Sequence, residues 1–578
     1  MATDAPSKTT PAPSASPVPP PESLKDTLIS IMIAFTMAFV FRGFVIEAFV
    51  IPTGSMGPTL MGAHVRLRGP TTGASWPVGA RDAPVGDNTN YFSHQTFSRS
   101  GIQDPISGEP MPIPPGGLRT FSGDRILVLK YLYGLRDPDR FDVIVFKNPS
   151  NPLDNYIKRL IGLPGEQIAL ADGDVFVRTG TEGQVPAGDD PQSRAALWDA
   201  AGWTIARKDP IVQRAVWQQV YDTALAPFPP TGAITPWNPG DPAGWSMTAR
   251  EYTFDGPGST ALVFDQTRRR SSRDIHGERA ANWTIDDYYP YDEPYYEDRM
   301  VARYPVSDVR IRCGFKPSAD GQSIGMHLSA RGHEFRATIG KGTARIAIRR
   351  PVGAPGIKSE WETVATQPAP ALPANAFSNV EFWHVDQSVQ IWLNGRKIAE
   401  YDYDWSPAQR LRFATGRPFV DLMQDQARDP QGRNTLAEPG IYAPCSVRFE
   451  FDGGSFSITR VGLDRDLHYQ PTSKGRGHGG ISGLGTSPYA PLYLGPDQFF
   501  ACGDNSPASL DGRLWESVDP WVHELYPPSG GNASPHPSAG VIPRELLLGK
   551  AFFVYWPSLR FDGDPVPVPD FGRMRFIW

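Results

Sequence analysis

The sequence predicts a mainly β fold: a β-rich core interrupted by an inserted β-sandwich, with one transmembrane helix near the N-terminus. Three observations predict it. An apolar run from Leu28 to Phe41, broken only by Ser30 and Thr36, has the length of a membrane span. Short β-branched runs bounded by Gly and Asp follow, as in Arg125-Ile126-Leu127-Val128-Leu129 and Asp142-Val143-Ile144-Val145-Phe146. Farther on, Asn394-Gly395 stands between alternating runs, the strongest short hairpin signal.

The 578 residues allow roughly three or four domains of about 150 residues each. Forty per cent hydrophobic residues suffice for a large core, and 60 prolines with 57 glycines favour strands and loops over a helical bundle. A net charge of −6 over this length predicts no nucleic-acid footprint. The three cysteines, Cys313, Cys445 and Cys502, form no C-x-x-C pair, so a zinc ribbon is excluded and no metal or other cofactor is expected. Cys313 and Cys445 pair only if their strands are neighbours; three buried small residues is the preferred reading.

Residues 1–22 are rich in Pro, Ala, Ser and Thr and are expected to be a disordered cytoplasmic tail. Residues 23–43 follow as the transmembrane helix. At about 1.5 Å per residue, Leu24 to Phe41 measures about 27 Å, close to a hydrocarbon core of about 30 Å. Arg42 can snorkel to the far headgroups. A cleaved secretory signal is the rival, opposed by the long non-apolar start and the lack of an A-x-A site; a buried core helix is the other. Only Lys8 and Lys25 precede the span, so charge orients it weakly. The bulk of the chain is expected outside the cytoplasm, anchored by a single pass in the plasma (inner) membrane.

Directly after the span stands Phe49-Val50-Ile51-Pro52-Thr53-Gly54-Ser55-Met56-Gly57-Pro58-Thr59-Leu60. Gly54 and Pro58 punctuate a turn that can project the Ser55 hydroxyl. It is not a G-x-S-x-G elbow, because Thr53 stands where the first glycine would be. Gly123-Asp124-Arg125 opens one of the strands, Arg140-Phe141-Asp142 another, and Tyr156-Ile157-Lys158-Arg159-Leu160-Ile161-Gly162-Leu163-Pro164-Gly165-Glu166 ends in a turn. Far downstream lie Gly503-Asp504-Asn505-Ser506-Pro507-Ala508-Ser509-Leu510-Asp511-Gly512-Arg513 and Val541-Ile542-Pro543-Arg544-Glu545. Taken bare, Gly-Ser in a turn is usually only a turn, and Lys158 a solvated strand lysine.

Together and in this order these boxes resemble those of the bacterial type I signal peptidases, the Ser/Lys-dyad leader peptidases. The resemblance implies that family's Ser/Lys β-fold core. It makes Ser55 the nucleophile and Lys158 the general base, with Thr53 and the Ser55 N–H as oxyanion donors. Ser509 would orient the Lys158 amine, Asp511 and Arg513 would form a supporting ion pair, and Asp504 and Asn505 would shape the turn. Phe49, Ile51, Pro52, Leu60, Tyr156 and Ile157 match positions that line shallow apolar pockets. The implied activity is removal of signal peptides from secreted preproteins with small residues one and three places before the cut.

A lysine of ordinary pKa, about 10.4, is almost wholly charged at pH 7. A base therefore needs burial, for which Tyr156, Ile157 and Leu160 supply apolar neighbours and Arg159 a repelling charge. Ten histidines are present and none lies in these boxes or in H-E-x-x-H, which favours Ser/Lys chemistry over a Ser-His-Asp triad. The chain departs from the family at Ser506-Pro507-Ala508, Gly512 and Asn155, which leaves the dyad intact and puts its charge surroundings in doubt.

The boxes divide the chain into a catalytic first part, 44–180, with a loop insertion at 62–118, and a second part, 489–578. Between them lies the insertion 181–488. There Val309, Ile311, Cys313 and Phe315 alternate with polar residues, as do Ala344, Ile346 and Ile348, then Val389, Ile391 and Leu393, and Val447, Phe449 and Phe451. Regular strands without a helical period predict a sandwich resembling laminin-G and concanavalin-type domains. Such a domain could bind carbohydrate or a protein. The alternative function is accordingly a membrane-anchored binding protein with an inactive peptidase part; a self-cleaving repressor is a third reading, disfavoured by the span. Gly475-Arg476-Gly477-His478-Gly479-Gly480 is expected to be a linker, not a nucleotide loop. Arg268-Arg269-Arg270 is expected to be solvated, and the run Asp286 to Asp298 a surface loop with tyrosines packed beneath rather than a calcium or basic-partner site.

Overall fold

The protein is described by a computed structural model over residues 24–69, 74–79, 91–92, 102, 104–105, 111, 118–180, 188–225, 235–267, 284–292, 302–352, 358–471, 482–525, 539–560 and 568–578. The 1–22 tail, Arg268–Arg270, Gly475–Gly480 and the end of the acidic run beyond Asp292 lie outside the described residues.

The fold is mostly β with one apolar N-terminal helix, as the sequence predicts. The helix Leu24–Val40 continues through a π-turn, Phe41–Val45, so that Arg42 and Gly43 do not end it. Its 22 residues are long and apolar enough to cross a membrane, and none is buried against the rest of the chain. It runs straight into the strand Ile46–Val50. That strand pairs with Arg125–Leu129 at the edge of a large antiparallel sheet. Next in order come Leu547–Trp556, Val143–Asn148, Asn151–Gly162, Gln498–Cys502 and Ile542–Pro543. The sheet thus draws strands from both ends of the sequence, which closes a core of Ile51, Met56, Leu60, Ile126, Val128, Val143, Val145, Ala551 and Val554. A smaller sheet joins Asp174–Thr179 and Glu166–Ala171 to Thr204–Ile205 and Leu492–Tyr493.

Within 62–118 the described residues form two short pairs, His64–Arg68 with Ser75–Gly79 and Tyr91–Phe92 with Leu118–Arg119. Trp76 packs in a small core of its own with Val65, Leu67, Val78 and Ile102.

The inserted strands form two facing antiparallel sheets. One contains Val309–Pro317 between Phe456–Arg465 and Ser378–Val385, the other Ser323–Ala330 between Ser446–Asp452 and His333–Gly340. Side chains alternate across a strand, and the alternating sets read from the sequence all point inward: Val309, Ile311, Cys313, Phe315, Ala344, Ile346, Ile348, Val389, Ile391, Leu393, Val447, Phe449 and Phe451 share one core. Asn394 and Gly395 take φ of 50° and 79°, the two positive values that a tight hairpin between Ser388–Leu393 and Arg396–Asp402 requires. The three cysteines are buried free thiols. Cys313 lies on Val309–Pro317 of one sheet and Cys445 just before Ser446–Asp452 of the facing one, so the two do not sit on neighbouring strands.

The insertion also contains helices that the sequence reading does not anticipate: Pro191–Asp199, Pro210–Val216, Pro407–Thr415 and Phe419–Arg428. Their start signals are present. Asp190 accepts from the N–H groups of Gln192 and Ser193, and Ser406 with Gln409 forms a capping box. Trp198, Leu411, Phe419 and Leu422 pack them onto the smaller sheet beside Ala169, Ala171 and Phe176.

Buried charge joins these layers. Arg410 and Arg331, both nearly unexposed, converge on Asp172 of the smaller sheet's hairpin and Asp308 of the sandwich. Arg410 also pairs with Asp174. The carboxylates of Asp174, Asp386 and Asp466 approach within 4.8 Å of one another. Lys208 is the cation of two of them, with Nζ 2.6 Å from Asp386 and 2.9 Å from Asp466. Removing one partner from a buried network leaves uncompensated charge, so Arg410→Leu is expected to cost about 3–5 kcal/mol. Denaturant unfolding of the detergent-solubilised protein should show the lower midpoint.

Candidate active site

The turn after the first strand is a short 3-10 segment, Gly54–Met56. Gly57 N–H donates to Gly54 O at 2.9 Å, and Leu60 N–H to Met56 O at 2.8 Å, while Met56 and Leu60 anchor the turn in the core. Ser55 is 8% exposed. The strand Asn151–Gly162 crosses beneath it and carries Lys158 opposite Ile144. Lys158 Nζ lies 2.8 Å from Ser55 Oγ and 3.1 Å from Ile157 O. Thr53 Oγ1 stands 3.5 Å from Ser55 Oγ.

Lys158 is 4% exposed, and burial pushes its pKa from the ordinary 10.5 down to about 8. The Asp511 carboxylate pulls the other way, and the Arg513 guanidinium adds to the depression. Arg159 plays another part than the expected one of repelling Lys158. Neighbours on a strand face opposite ways. Arg159 turns into the interior and binds Asp504 through Nε and Nη2, both at 2.7 Å, with neither side chain exposed. Asp504 therefore does more than shape a turn. It also accepts from Thr59 Oγ1 at 2.5 Å, which ties the segment after Ser55 to Arg159.

Asp511 and Arg513 form the expected pair, Nη2 to Oδ2 at 2.8 Å and Nε to Oδ1 at 2.9 Å, both side chains unexposed. Gly503 N–H also donates to Asp511 at 2.9 Å. Ser509 is fully buried; Arg513 above all, with a smaller part from the Ser509 hydroxyl, holds the Asp511 carboxylate below its ordinary range, and Asp511 is one of the groups that set the Lys158 charge. Asn505 holds the Ser55 turn directly: its backbone N–H donates to Ser55 O at 3.1 Å and its Nδ2 to Gly54 O at 3.0 Å.

Of the six expected pocket residues, Ile51 and Leu60 are 2% and 0% exposed and belong to the core beneath the turn, closed to a ligand. Phe49, Tyr156 and Ile157 are half-buried and Pro52 is exposed, so of the six only these four keep surface open to another molecule. The described part of the acidic run is not a surface loop: Asp287, Tyr291 and Asp292 are buried, at 2%, 4% and 0% exposure. Sequence patterning cannot assign these residues, because their partners lie more than a hundred positions away.

A neutral amine at this distance from a hydroxyl can take up its proton. Between about 8 and 10.5 the unfolded chain holds a proton on Lys158 that the folded chain has released. Stability therefore rises with pH across that window, and below it the folded state carries a buried charge. Lys158→Met is expected to raise the thermal unfolding midpoint at pH 7, with the advantage shrinking from pH 8 toward pH 10, as followed by near-ultraviolet circular dichroism.

Residues 118–219 match the family model described as "Signal peptidase, peptidase S26". A stretch of 100 residues is 37% identical to signal peptidase I of Pseudomonas fluorescens, over 15% of this chain and 35% of that relative. Another of 74 residues is 45% identical to signal peptidase I of Pseudomonas aeruginosa, over 10% of this chain and 26% of that one. The chain thus spans about a third or less of these relatives' own length. Among solved structures, a Bacillus licheniformis β-glucanase aligns over 41% of the chain and 96% of its own, at 9% identity and a TM-score of 0.22, too low to carry any statement about ligands. The segment that carries Lys158 is thus similar to the signal peptidase S26 family.

Proposed function

We propose that this chain is a membrane-bound serine endopeptidase that removes signal peptides from preproteins, with Ser55 as nucleophile and Lys158 as general base. The observation that carries the proposal is the buried amine of Lys158, 2.8 Å from the Ser55 hydroxyl and depressed toward neutrality. Neutral Nζ accepts the Ser55 proton as Oγ bonds to the scissile carbonyl carbon. The carbonyl oxygen becomes an oxyanion held by Thr53 Oγ1 and the Ser55 N–H. Collapse breaks the C–N bond, and the leaving amine takes the proton from Lys158. A water then attacks the acyl-enzyme, its proton again passing to Lys158, and Ser55 is released with its hydroxyl restored.

Ser509 acts as a positioning residue through Asp511, and the Asp511–Arg513 and Asp504–Arg159 pairs keep charge balanced around the amine. Phe49, Pro52, Tyr156 and Ile157 would receive small side chains of an extended substrate. In this reading residues 44–180 and 489–578 make up the catalytic domain, 181–488 are inserted into it, and the helix anchors it on the extracytoplasmic side of the inner membrane.

Cleavage of a model preprotein by the detergent-solubilised chain tests this. Ser55→Ala and Lys158→Met are each expected to lose at least about 10⁴-fold in kcat/KM. Thr53→Val, which removes one oxyanion donor, should lose about 10²–10³-fold in kcat. A parent protein that leaves the preprotein intact while a control peptidase cuts it would return the chain to the binding-protein reading. The pH profile gives a separate check. The base must be neutral, so kcat/KM should climb tenfold per pH unit below about 8 and level off above it.

A further inference from the structure

We propose that the insertion completes the catalytic scaffold: Asp292, acting through Asn505, is a positioning residue for the Ser55 turn, and Gln470, acting through Ser506 and Arg513, is one for the surroundings of Lys158. This rests on the Ser55–Lys158 reading above and assigns the insertion a part in that reaction.

The segment concerned is the short turn Pro290–Asp292, deep within the inserted sequence. It reaches back over more than two hundred residues to the nucleophile. The Tyr291 hydroxyl donates to Ala63 O at 2.8 Å. The Tyr291 ring lies so close to Gly54 that a Cβ there would overlap it, and Gly57 faces the Tyr289 ring in the same manner at 2.9 Å. The two rings stack on each other with centroids 5.8 Å apart and planes 8° from parallel. The glycines on both sides of Ser55-Met56 are thus the surface against which this stack sits.

Asn505 makes the contact directional. Its Nδ2 donates one hydrogen to Gly54 O at 3.0 Å and the other to Asp292 Oδ1 at 3.1 Å. A carboxylate only accepts, so Asp292 fixes which way the Asn505 amide points. Without it the amide is free to flip and set its own oxygen against Gly54 O. The carbonyl that leads into Ser55 would lose its donor.

A second road runs from the insertion to the base. Asp287 is buried and accepts from Gln470 Nε2 at 2.6 Å and from Tyr304 N–H at 2.8 Å. Gln470 N–H donates to Ser506 Oγ at 2.8 Å, and Gln470 O accepts from Arg513 Nη1 at 2.7 Å. Arg513 in turn holds Asp511, the carboxylate that acts on Lys158. A merely tethered domain would touch the core where its chain enters and leaves. Here the Asp292 side chain, from its middle, reaches the Ser55 turn, and the Asp287 side chain holds Gln470, whose main chain meets Ser506 and Arg513.

The test uses the full detergent-solubilised chain and the variants Asp292→Ala and Asp292→Asn. Two quantities are read: kcat and KM on a model preprotein, and backbone hydrogen exchange over residues 53–60. Asp292→Ala is expected to lower kcat by up to about 100-fold at unchanged KM, as a small misplacement of a reacting group does, and to speed exchange across the turn. Asp292→Asn retains an acceptor for Asn505 and should restore both. Unchanged exchange in Asp292→Ala overturns the proposal, and so does a loss that Asp292→Asn fails to recover. A parent chain that does not cut the preprotein defeats the peptidase reading, and exchange still decides whether Asp292 orders the turn. If Asp292→Ala does not fold, Tyr291→Phe deletes only the hydroxyl on Ala63 O: faster exchange with lower kcat supports the proposal, and parent-like values of both overturn it.

Discussion

The structure around Ser55 depends on one constraint: an amine must sit in a dry place without a carboxylate of its own at contact distance. A lysine paired directly to an aspartate would stay charged, and one open to water would too. Lys158 avoids both. The strand Asn151–Gly162 drives it under the Ser55 turn, and the acid that acts on it most, Asp511, is engaged by Arg513 and Gly503 N–H. Arg159 sits next in sequence yet on the other face, where Asp504 neutralises it. Two cations and two anions are thereby sorted into closed pairs around one uncompensated amine.

The same economy governs the seam between the smaller sheet, its helices and the sandwich. Asp172 and Asp174 come from the smaller sheet's hairpin, Asp308 and Arg331 from the sandwich, and Arg410 from a helix between them. An apolar seam would have permitted sliding. Interlocked charges penalise any displacement, because a shift leaves a buried ion unpaired. The insertion is therefore held in one orientation, which is what the contact of Asp292 with Asn505 requires.

Much of this was legible in the sequence where side chains obey a local period. The sandwich strands alternate over their full length, and Asn394-Gly395 marks its hairpin without help from elsewhere. The helices at 407–428 were not legible in that way. Their capping box at Ser406 is present, but they are short, and they bury one face against a sheet that the sequence does not bring near them. The boxes around Ser55, Lys158 and Asp511 could be read in order. The partners of Arg159 and Asn505 could not, since Asp504 and Asp292 are 345 and 213 residues distant from them. A buried aspartate in a tyrosine-rich stretch looks like a solvated loop until its acceptor geometry is seen.

The helix Leu24–Val45 passes into the strand Ile46–Val50 with no linker between them. The strand is clamped along its whole length to Arg125–Leu129, so it cannot extend or fold back. It acts as a ruler. Five residues at about 3.3 Å each set Val50 about 17 Å beyond the end of the helix, and the turn that carries Ser55 starts from there. In the proposed reading, a substrate rooted in the same bilayer would have to offer its bond at the height that this strand and turn set. Lengthening the strand would then change which bonds come within reach while leaving the chemistry at Ser55 untouched.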